Sequence, residues 1–513
     1  MLNDKTRETY GKLEYPEAEL VFGFVFPVGT DYSGVLLTLE NYIKRFNYKP
    51  NVIRLSDFIS KVQTRVTTGT KLDNTTEATR IDTHMTAGNK LCELAEDDSF
   101  LVSAAVAEIS RLRRLRDSSE GTEPLPRTIH ILMSLKRPKE VELLRSIYGS
   151  GFYLIGVFAS ESDRVKYLTQ DKNMPWREAL RLMKRDQEEE RPFGQRSRDT
   201  FELSDVFIQL KQDEYKEPLE RFLDLVFGNP YITPRPDEYA MSLAYSASLR
   251  SGQLARQVGS AVRSASGDIV ALGCNDVPAA GGGLYWPGPT DARDHIRGID
   301  SNDAEQTKII KDLLKKLGIS IELKDALELL KNSRLMDISE YGRAVHAEMD
   351  ALLSCARIGV TTRGTTLFTT TFPCHNCTRH IIAAGVSRVV YIEPYPKSMA
   401  SVLHKDAIEL TGTRQGAGHD GRNRIPFEPF VGIGPRRFYD LFSMKLGSGT
   451  RLRRKDDAGR VIRWRRDEAR PRVQMLPTSY IQREKVVASR FLSTVEKLEE
   501  KQNGIQRLSF EKE

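Results

Sequence analysis

The sequence predicts an α/β protein made of two large domains and a shorter C-terminal extension. Two observations predict this class. Apolar runs of strand length alternate with helical patterns in the N-terminal half, and a proline-rich segment separates that half from a second set of strands and helices. At 513 residues the chain is too long for one core. Its hydrophobic content of 39% and charged content of 29% are typical of globular proteins and exclude fibrous or wholly disordered classes.

The first domain is expected over residues 15–228. It opens with a buried strand at 20–28, a glycine-containing turn and a helix at 35–46. Further strands are predicted, with helical patterns between them, at 51–55, 128–133, 153–158 and 205–210. Because parallel strands need long crossovers, which are usually helical, this alternation predicts a parallel sheet.

The turn after the first strand partly matches a phosphate-binding loop, G-x-x-x-x-G-K-[ST]. The segment GTDYSG supplies both glycines, but the lysine is absent and Asp31 places negative charge where phosphates would lie. We therefore expect a degenerate P-loop-like domain that does not hydrolyse ATP. Gly29, Thr30, Asp31 and Ser33 are candidates for nucleotide binding, and a purely structural turn is an equal alternative.

The second domain is expected over residues 236–445, after a linker that contains Pro230, Pro234 and Pro236. Strands are predicted at 257–263, 268–274, 365–370 and 388–392. Helices are predicted at 238–251, 303–317 and 345–357, and a further one starts at Cys374. The helix at 303–317 belongs to a long insertion between residues 281 and 341.

Residues 446–513 are expected to form a basic hairpin and a helical extension. Between Arg451 and Arg472 there are ten lysines or arginines against four acidic residues, an excess that could attract phosphates. The alternative is a solvated hairpin that turns at residues 457–459 and buries Val461, Ile462 and Trp464. The final helical pattern, 479–501, is charged and is expected to lie at the periphery.

Cysteine usage and hydropathy indicate a cytoplasmic protein without a membrane segment. The five cysteines are odd in number and scattered, which argues against a secreted disulfide framework. No apolar run reaches the length of a membrane span, and the N-terminal residues have no apolar signal core.

Two short motifs carry the predicted chemistry: His346-Ala347-Glu348 and Pro373-Cys374-His375-Asn376-Cys377. Each is predicted to open a helix, where unpaired N–H groups and the helix dipole favour thiolates. A His/Cys/Cys set leaves zinc one open position for water, as in catalytic zinc sites. Glu348 could take the proton of that water and pass it to the substrate. We therefore predict Zn²⁺ at His346, Cys374 and Cys377, with Glu348 as the catalytic residue.

The combination of H-x-E with P-C-x-x-C is the signature of zinc nucleobase deaminases. A structural zinc site is the alternative, but such sites usually have four protein ligands, and neither His375 nor His380 has a clear claim to be the fourth.

Residues 238–440 resemble the deoxycytidylate deaminase branch of the cytidine deaminase superfamily. The resemblance rests on the segments SGQLARQVGSAV, GCNDVP, GRAVHAEMDAL and PCHNCTRHIIAAGVSRVVYIEPYPKS. It implies a three-layer α/β/α cytidine deaminase-like fold and a contact between Asn275 and the bound nucleoside. A local turn before Pro278 is the alternative role for Asn275.

With its N-terminal extension, the whole chain is similar to the anti-phage dCTP deaminase family. In that family a P-loop kinase-like domain precedes the deaminase. The likeness implies conversion of dCTP, and probably dCMP, to deoxyuridine nucleotides and ammonia, which depletes dCTP during infection.

The residues that would contact the phosphates are harder to place from the sequence. Lys397 follows a strand end and is a candidate substrate-binding residue, and Arg250, Arg256, Arg436 and Arg437 could add charge-assisted bonds. Further expectations are a regulatory nucleotide at the N-terminal domain, an inhibitory RNA or protein partner, and a homo-oligomer.

Three rival functions remain open at this point. A housekeeping dCMP deaminase would supply dUMP, and an editing enzyme would act on a cytosine or adenine in nucleic acid. Editing would require aromatic residues among basic ones, and between 451 and 472 only Trp464 meets this need. A nucleotide or RNA sensor that controls the deaminase is compatible with the leading hypothesis.

Overall fold

The computed structural model describes residues 17–116, 121–189, 191–211, 214–331, 333–338, 340–394, 398–410, 424–445 and 451–510. The chain divides into two compact units. The first unit comprises Met1–Pro234 and Val431–Glu513, and the second comprises Arg235–Phe430. The second unit is therefore inserted into the chain of the first.

The strands are numbered in chain order. They are β1 (Leu20–Val25), β2 (Lys49–Arg54), β3 (Thr128–Met133), β4 (Phe152–Phe158), β5 (Val206–Gln209), β6 (Gly259–Arg263), β7 (Ile269–Cys274), β8 (Thr366–Thr371), β9 (Arg388–Glu393), β10 (Ile408–Leu410), β11 (Ile425–Pro429) and β12 (Gly432–Ile433).

The α-helices are numbered in the same way. They are α1 (Ser33–Lys44), α2 (Ser56–Gln63), α3 (Glu77–Ala95), α4 (Phe100–Arg116), α5 (Pro138–Tyr148), α6 (Glu161–Lys166), α7 (Trp176–Gln187), α8 (Ser197–Glu202), α9 (Lys216–Val226), α10 (Pro236–Ser248), α11 (Asp294–Arg297), α12 (Ser301–Leu317), α13 (Leu323–Leu330), α14 (Ala347–Ile358), α15 (His375–Ala383), α16 (Ala400–Leu403), α17 (Phe438–Phe442) and α18 (Pro477–Phe510). Among the described helices, none combines the length and apolar character needed to cross a bilayer.

The first unit is built on a six-stranded sheet in the order β12-β5-β4-β1-β3-β2. The strands β1 to β5 run parallel, and β12 adds to the edge in the antiparallel direction. Every residue of β1 is buried, with Val21 and Val25 in one apolar core and Phe22 and Phe24 in another. Because side chains alternate across a strand, the two cores lie on opposite faces of the sheet, and both faces are covered.

The C-terminal helix α18 is a core element of the first unit and is not peripheral as its charged sequence suggested. It packs along α4. Its residue Glu484 is 0% exposed and forms an ion pair with Arg113 of α4, which also pairs with Glu19 next to β1. Tyr480 donates a hydrogen bond to Glu19, and His130 contacts the same carboxylate at 3.4 Å. The buried face of α18 therefore carries Glu484 with its partner Arg113, whereas charged residues such as Arg490 and Lys497 remain exposed.

The pairing of β12 with β5 and the packing of α18 explain why the chain after Val431 groups with the first unit. The sequence had suggested that the second domain continued to residue 445 and that residues 446–513 formed a separate extension. The division into two units therefore follows the contacts between residues that are distant in the sequence, and not the order of residues along the chain.

The basic segment forms a small hairpin with a bridge between Lys455 and Val461. Val461 is 76% exposed, so the expectation that it would be buried is wrong, because its side chain points away from the unit. Trp464 is half-buried and donates a hydrogen bond to Phe227 O. Much of the local charge is paired, as in the contact of Arg466 with Asp224.

The second unit contains a six-stranded sheet in the order β10-β11-β9-β8-β6-β7. Strand β6 is antiparallel to both β7 and β8, whereas β8, β9, β11 and β10 run parallel. The α/β class predicted from the sequence is confirmed in both units. The structure also places the predicted helices and strands of 238–392 at these positions, with bounds that differ by a few residues.

Two glycines show that helices lie on both faces of the second sheet. A Cβ at Gly259 would overlap the backbone of α10, and a Cβ at Gly273 would overlap Ala347 O and the backbone of Ala351 in α14. Gly273 pairs with Ser260, the neighbour of Gly259, so the two glycines point to opposite faces. The unit therefore has helix, sheet and helix layers, and both helices approach closely because no side chain intervenes.

Candidate active site

The site of the second unit forms where two helices begin. His346 is the N-cap residue of α14, and Cys374 is the N-cap residue of α15. The N–H of Val345 donates to Asp276 O, which fixes the chain just before His346 to the segment after β7. The close approach of α14 to Gly273 then sets the depth of the histidine.

Cys374 and Cys377 are held by the first turn of α15. The N–H of Cys377 donates to Cys374 Sγ at 3.4 Å, and Thr378 Oγ1 donates to the carbonyl of Cys374 at 2.9 Å. Ser398 Oγ donates to Pro373 O and supports the turn before the helix. These local bonds explain why the P-C-x-x-C spacing places both sulfurs on one side of the helix start.

The three donor atoms converge. His346 Nδ1 lies 3.4 Å from Cys374 Sγ and 3.4 Å from Cys377 Sγ, and the ligand atoms of all three residues lie within 4.8 Å of one another. One imidazole nitrogen and two sulfurs at this spacing fit the donor preferences and tetrahedral geometry of Zn²⁺. Among the residues that the structure describes, this is the one such group of His, Cys, Asp or Glu side chains.

The local electrostatics favour a thiolate in this group. The pKa of the Cys374 thiol is lowered to about 3, mainly because Cys377 donates a hydrogen bond to its sulfur and also because His346 lies beside it. The same hydrogen bond raises the pKa of Cys377, and the bond to Cys374 raises the pKa of His346. A cation among these donors would find one thiolate already formed.

Glu348 lies in the first turn of α14 and is 4% exposed. Burial raises the pKa of its carboxyl group, against the lowering effect of His346. A buried carboxyl group with a raised pKa beside a cavity can hold a proton and release it, as a general acid or base must.

A cavity of about 330 Å³ opens at these residues, and His346, Glu348 and Cys374 are in its wall. Asn275 also lines the cavity, but both the oxygen and the nitrogen of its side-chain amide form hydrogen bonds with backbone groups. Its Oδ1 accepts from the N–H of Val258 at 2.6 Å, and its Nδ2 donates to Arg256 O at 2.8 Å. In this arrangement Asn275 shapes the cavity wall by holding residues 256–258.

The remaining candidates from the sequence are distributed as follows. Arg256 lines the cavity, whereas Arg250 donates to two backbone carbonyls and stacks on Trp286 at 3.9 Å. Arg436 and Arg437 belong to the first unit, where Arg437 is buried and donates to Phe152 O. Lys397 lies outside the described residues.

The loop candidates Gly29, Thr30, Asp31 and Ser33 also belong to the first unit and do not contribute to this cavity.

Sequence reasoning missed the part of the cavity wall that the long insertion supplies. Asp300, Asn302, Asp303 and Asp337 all line the cavity. The one local signal was Asp300, whose carboxylate caps α12 by accepting from the N–H groups of Asn302 and Asp303. A cap predicts a helix start but does not indicate which cavity the helix start borders.

A His/Cys/Cys group at two helix N-termini, with a buried glutamate beside it in a three-layer α/β unit, defines the class of zinc nucleobase deaminases. The model of the cytidine and deoxycytidylate deaminase zinc-binding region matches residues 234–393. The deoxycytidylate deaminase of Enterobacteria phage T2 is 30% identical over 175 residues, which cover 33% of this chain and 88% of that protein. The chain belongs to the cytidine and deoxycytidylate deaminase family, and its deaminase region is a zinc-binding one.

Other similar proteins match over shorter segments. ComE operon protein 2 of Bacillus subtilis (strain 168) is 43% identical over 61 residues, 12% of this chain and 32% of that protein. Among solved structures, dCMP deaminase from the cyanophage S-TIM5 in complex with dCMP and dUMP has 19% identity and a TM-score of 0.23, and the match covers 39% of this chain and all of that one.

Proposed function

We propose that this protein removes the amino group from the cytosine base of deoxycytidine nucleotides by hydrolysis. The substrates are dCTP and also dCMP, and the products are deoxyuridine nucleotides and ammonia. The observation that carries the proposal is that the donor atoms of His346, Cys374 and Cys377 converge beside a cavity. The buried Glu348 lies in the wall of that cavity together with His346 and Cys374. The cavity volume of about 330 Å³ is within the range of small-molecule sites. The family supports a nucleotide substrate.

In this proposal His346, Cys374 and Cys377 hold the zinc ion. When bound, zinc supplies Lewis acidity, which lowers the pKa of water in the cavity. Glu348 accepts the two protons of that water one after the other, and delivers the first to the ring nitrogen N3 and the second to the amino group, which leaves as ammonia. The low exposure of Glu348 keeps bulk water from competing for its proton.

Substrate contacts follow from what lines the cavity. Arg256 is the arginine in its wall and is the proposed phosphate contact. Asn275 is proposed to contact the bound nucleoside, with support from its place in the wall. Lys397 is kept as a proposed contact because it follows a strand end in the sequence.

The proposed biological role is depletion of dCTP in the cytoplasm during phage infection. Its support is the similarity of the whole chain to anti-phage dCTP deaminases. The regulatory nucleotide, the inhibitory RNA or protein partner and the homo-oligomer belong to the same proposal.

Incubation of the zinc-loaded chain with dCTP, dCMP, CTP and deoxycytidine, followed by chromatographic separation of the products, tests the reaction. We expect uracil products from the deoxynucleotides. Glu348→Gln should lower turnover by about 10²-fold or more while the zinc content stays the same, because only proton transfer is lost.

The matched control is Glu409→Gln, which changes an exposed glutamate of β10 in the same unit. Wild-type turnover in zinc-loaded Glu348→Gln would disprove the role of Glu348. If the wild-type protein deaminated none of the four cytosine compounds, the proposed substrate class would be wrong. Deamination of dCMP but not of dCTP would favour a housekeeping enzyme.

A further inference from the structure

The first unit contains a cavity of about 480 Å³ outside the carboxyl ends of β1, β2 and β3. Its wall includes residues that follow each of these strands, among them Thr30, Ser56 and Ser134. In open α/β sheets this edge is where ligands bind, and the volume suits a small molecule. The cavity belongs to the first unit and is separate from the deaminase site.

The loop after β1 is already occupied by a protein carboxylate. Asp186 is 0% exposed, and its Oδ2 accepts from the N–H of Val28 at 2.8 Å. Its Oδ1 lies 2.8 Å from Lys136 Nζ, and Ser197 Oγ donates a second hydrogen bond to Oδ2. The N–H of Val28 and the ammonium group of Lys136 could bind a phosphate, but both are already bound to the carboxylate of Asp186.

The rest of the loop is likewise unsuited to a triphosphate. The N–H of Thr30 donates to Pro27 O, and the N–H of Ser33 donates to the carboxylate of Asp31. The positions after Gly34 that would carry the lysine and hydroxyl of a phosphate-binding loop are Val35, which is buried in the core, and Leu36. A Mg²⁺-bound triphosphate therefore has no set of ligands here.

Two buried polar atoms in the cavity wall have no hydrogen-bond partner. They are Thr30 Oγ1 and Gln195 Oε1, and their residues are 4% and 9% exposed. A buried polar atom without a partner destabilises the fold, so such atoms call for an explanation. A bound molecule with polar groups would satisfy both.

The cavity wall also offers positive charge at Arg54 and Lys172, and the carboxylates of Glu77 and Asp31 act electrostatically on Lys172. Arg54, at the end of β2, is exposed, and Lys172 lies over the ring of Tyr167. Both line the cavity, and neither takes part in an ion pair within the described part of the chain. Two cations match the charge of a single phosphate group better than the larger charge of a triphosphate.

Aromatic rings complete the wall. Phe26 and Tyr32 stack with their centroids 4.4 Å apart, and Tyr167 lies on the same cavity. Flat apolar faces beside buried hydrogen-bonding groups suit a planar base. We infer that the first unit binds a nucleoside monophosphate in this cavity, with its phosphate at Arg54 and Lys172 and its polar groups at Thr30 and Gln195.

Isothermal titration calorimetry on the full zinc-loaded chain tests this inference. The probes are the 5′-monophosphates of adenosine, guanosine and thymidine, inorganic phosphate, and ATP with Mg²⁺. These probes contain no cytosine, so the result does not depend on the deaminase reaction. We expect one of the monophosphates to bind one site per chain, and more tightly than inorganic phosphate or ATP.

Arg54→Glu should weaken that binding by about tenfold or more, because a charge-assisted bond is replaced by repulsion. Thr30→Val should weaken it several-fold without loss of folding, since it removes a hydroxyl that has no partner. The matched control is Arg177→Glu, an exposed arginine of α7 outside the cavity, which should leave binding unchanged.

Several outcomes would overturn the inference. They are the absence of binding by all three monophosphates, equal binding by wild type and Arg54→Glu, and tighter binding of ATP or inorganic phosphate than of any monophosphate.

Discussion

The two units each bury a polar cluster, and the clusters are arranged differently. In the first unit, Arg113 lies between the carboxylates of Glu19 and Glu484, so every charge has a protein partner. In the second unit, His346, Cys374 and Cys377 direct three electron-pair donors toward one point beside a cavity. A cluster that is complete in itself stabilises the fold, whereas a cluster of converging donors is suited to holding an additional ion.

Cysteines show the same contrast. Burial in an apolar core raises the pKa of Cys92 to about 11, whereas hydrogen bonds lower the pKa of Cys374 to about 3. The surroundings of a thiol therefore decide whether it acts as a small apolar side chain or as a ligand.

The largest expected effect comes from removing a donor of the second cluster. Cys374→Ser should lower the zinc content from one ion per chain to near zero and reduce deamination by about 10³-fold or more, because hard oxygen replaces the soft sulfur ligand. Metal analysis and product assays measure both. Cys355→Ala, which changes a buried core cysteine of the same unit, is the control and should keep its zinc. Full zinc in Cys374→Ser would show that the converging donors do not form the metal site.

The next effect comes from breaking the first cluster. Arg113→Met should lower the free energy of unfolding of the first unit by about 3–5 kcal/mol, because it leaves two buried carboxylates without their partner. Chemical denaturation followed by circular dichroism measures this loss. Arg111→Met, which removes an exposed pair with Glu108, should change the free energy of unfolding far less, because solvent screens that pair. Equal losses in the two variants would contradict the structural role of the buried cluster.

The smallest effect is a pH dependence that arises from Cys92. Because burial raises its pKa from 9.0 to about 11, its contribution is fully present below pH 9 and is lost as the pH rises toward 11. The unfolded chain releases this proton first, so stability should fall by about 1 kcal/mol between pH 8 and pH 10. Comparison of wild type with Cys92→Ala over this range isolates the contribution, since other groups titrate equally in both. Parallel curves would show that burial does not hold the proton on Cys92.

Local spacing made the elements and the motif residues predictable. Strand β3 covers residues 128–133 as its apolar run indicated. The structure also brings together the four residues of the two short motifs that were predicted to be functional, namely His346, Glu348, Cys374 and Cys377. In both cases the information lies within a few residues, because strand period and helix starts are local properties.

Features that depend on contacts between distant segments could not be predicted. The burial of Glu484 depends on Arg113, 371 residues earlier, and the loop after β1 is occupied by Asp186, 158 residues away. A charged helix pattern does not reveal that its charges meet partners inside the protein. The insertion residues at the active-site cavity were missed for the same reason, since nothing local connects Asp303 with His346.

The insertion of the second unit into the chain of the first has a consequence for synthesis. The deaminase unit is continuous from Arg235 to Phe430, so it is synthesised without interruption. The first unit is complete only after α18 has been synthesised. At roughly 5–20 residues per second, the interval between the end of residue 234 and the arrival of α18 is about ten to fifty seconds. During this interval the apolar surface that receives Tyr480, Ile481 and Val495 has no cover, and Glu19 and Arg113 pair without Glu484. We therefore expect the first unit to be the part of the protein that exposes apolar surface for longest during synthesis.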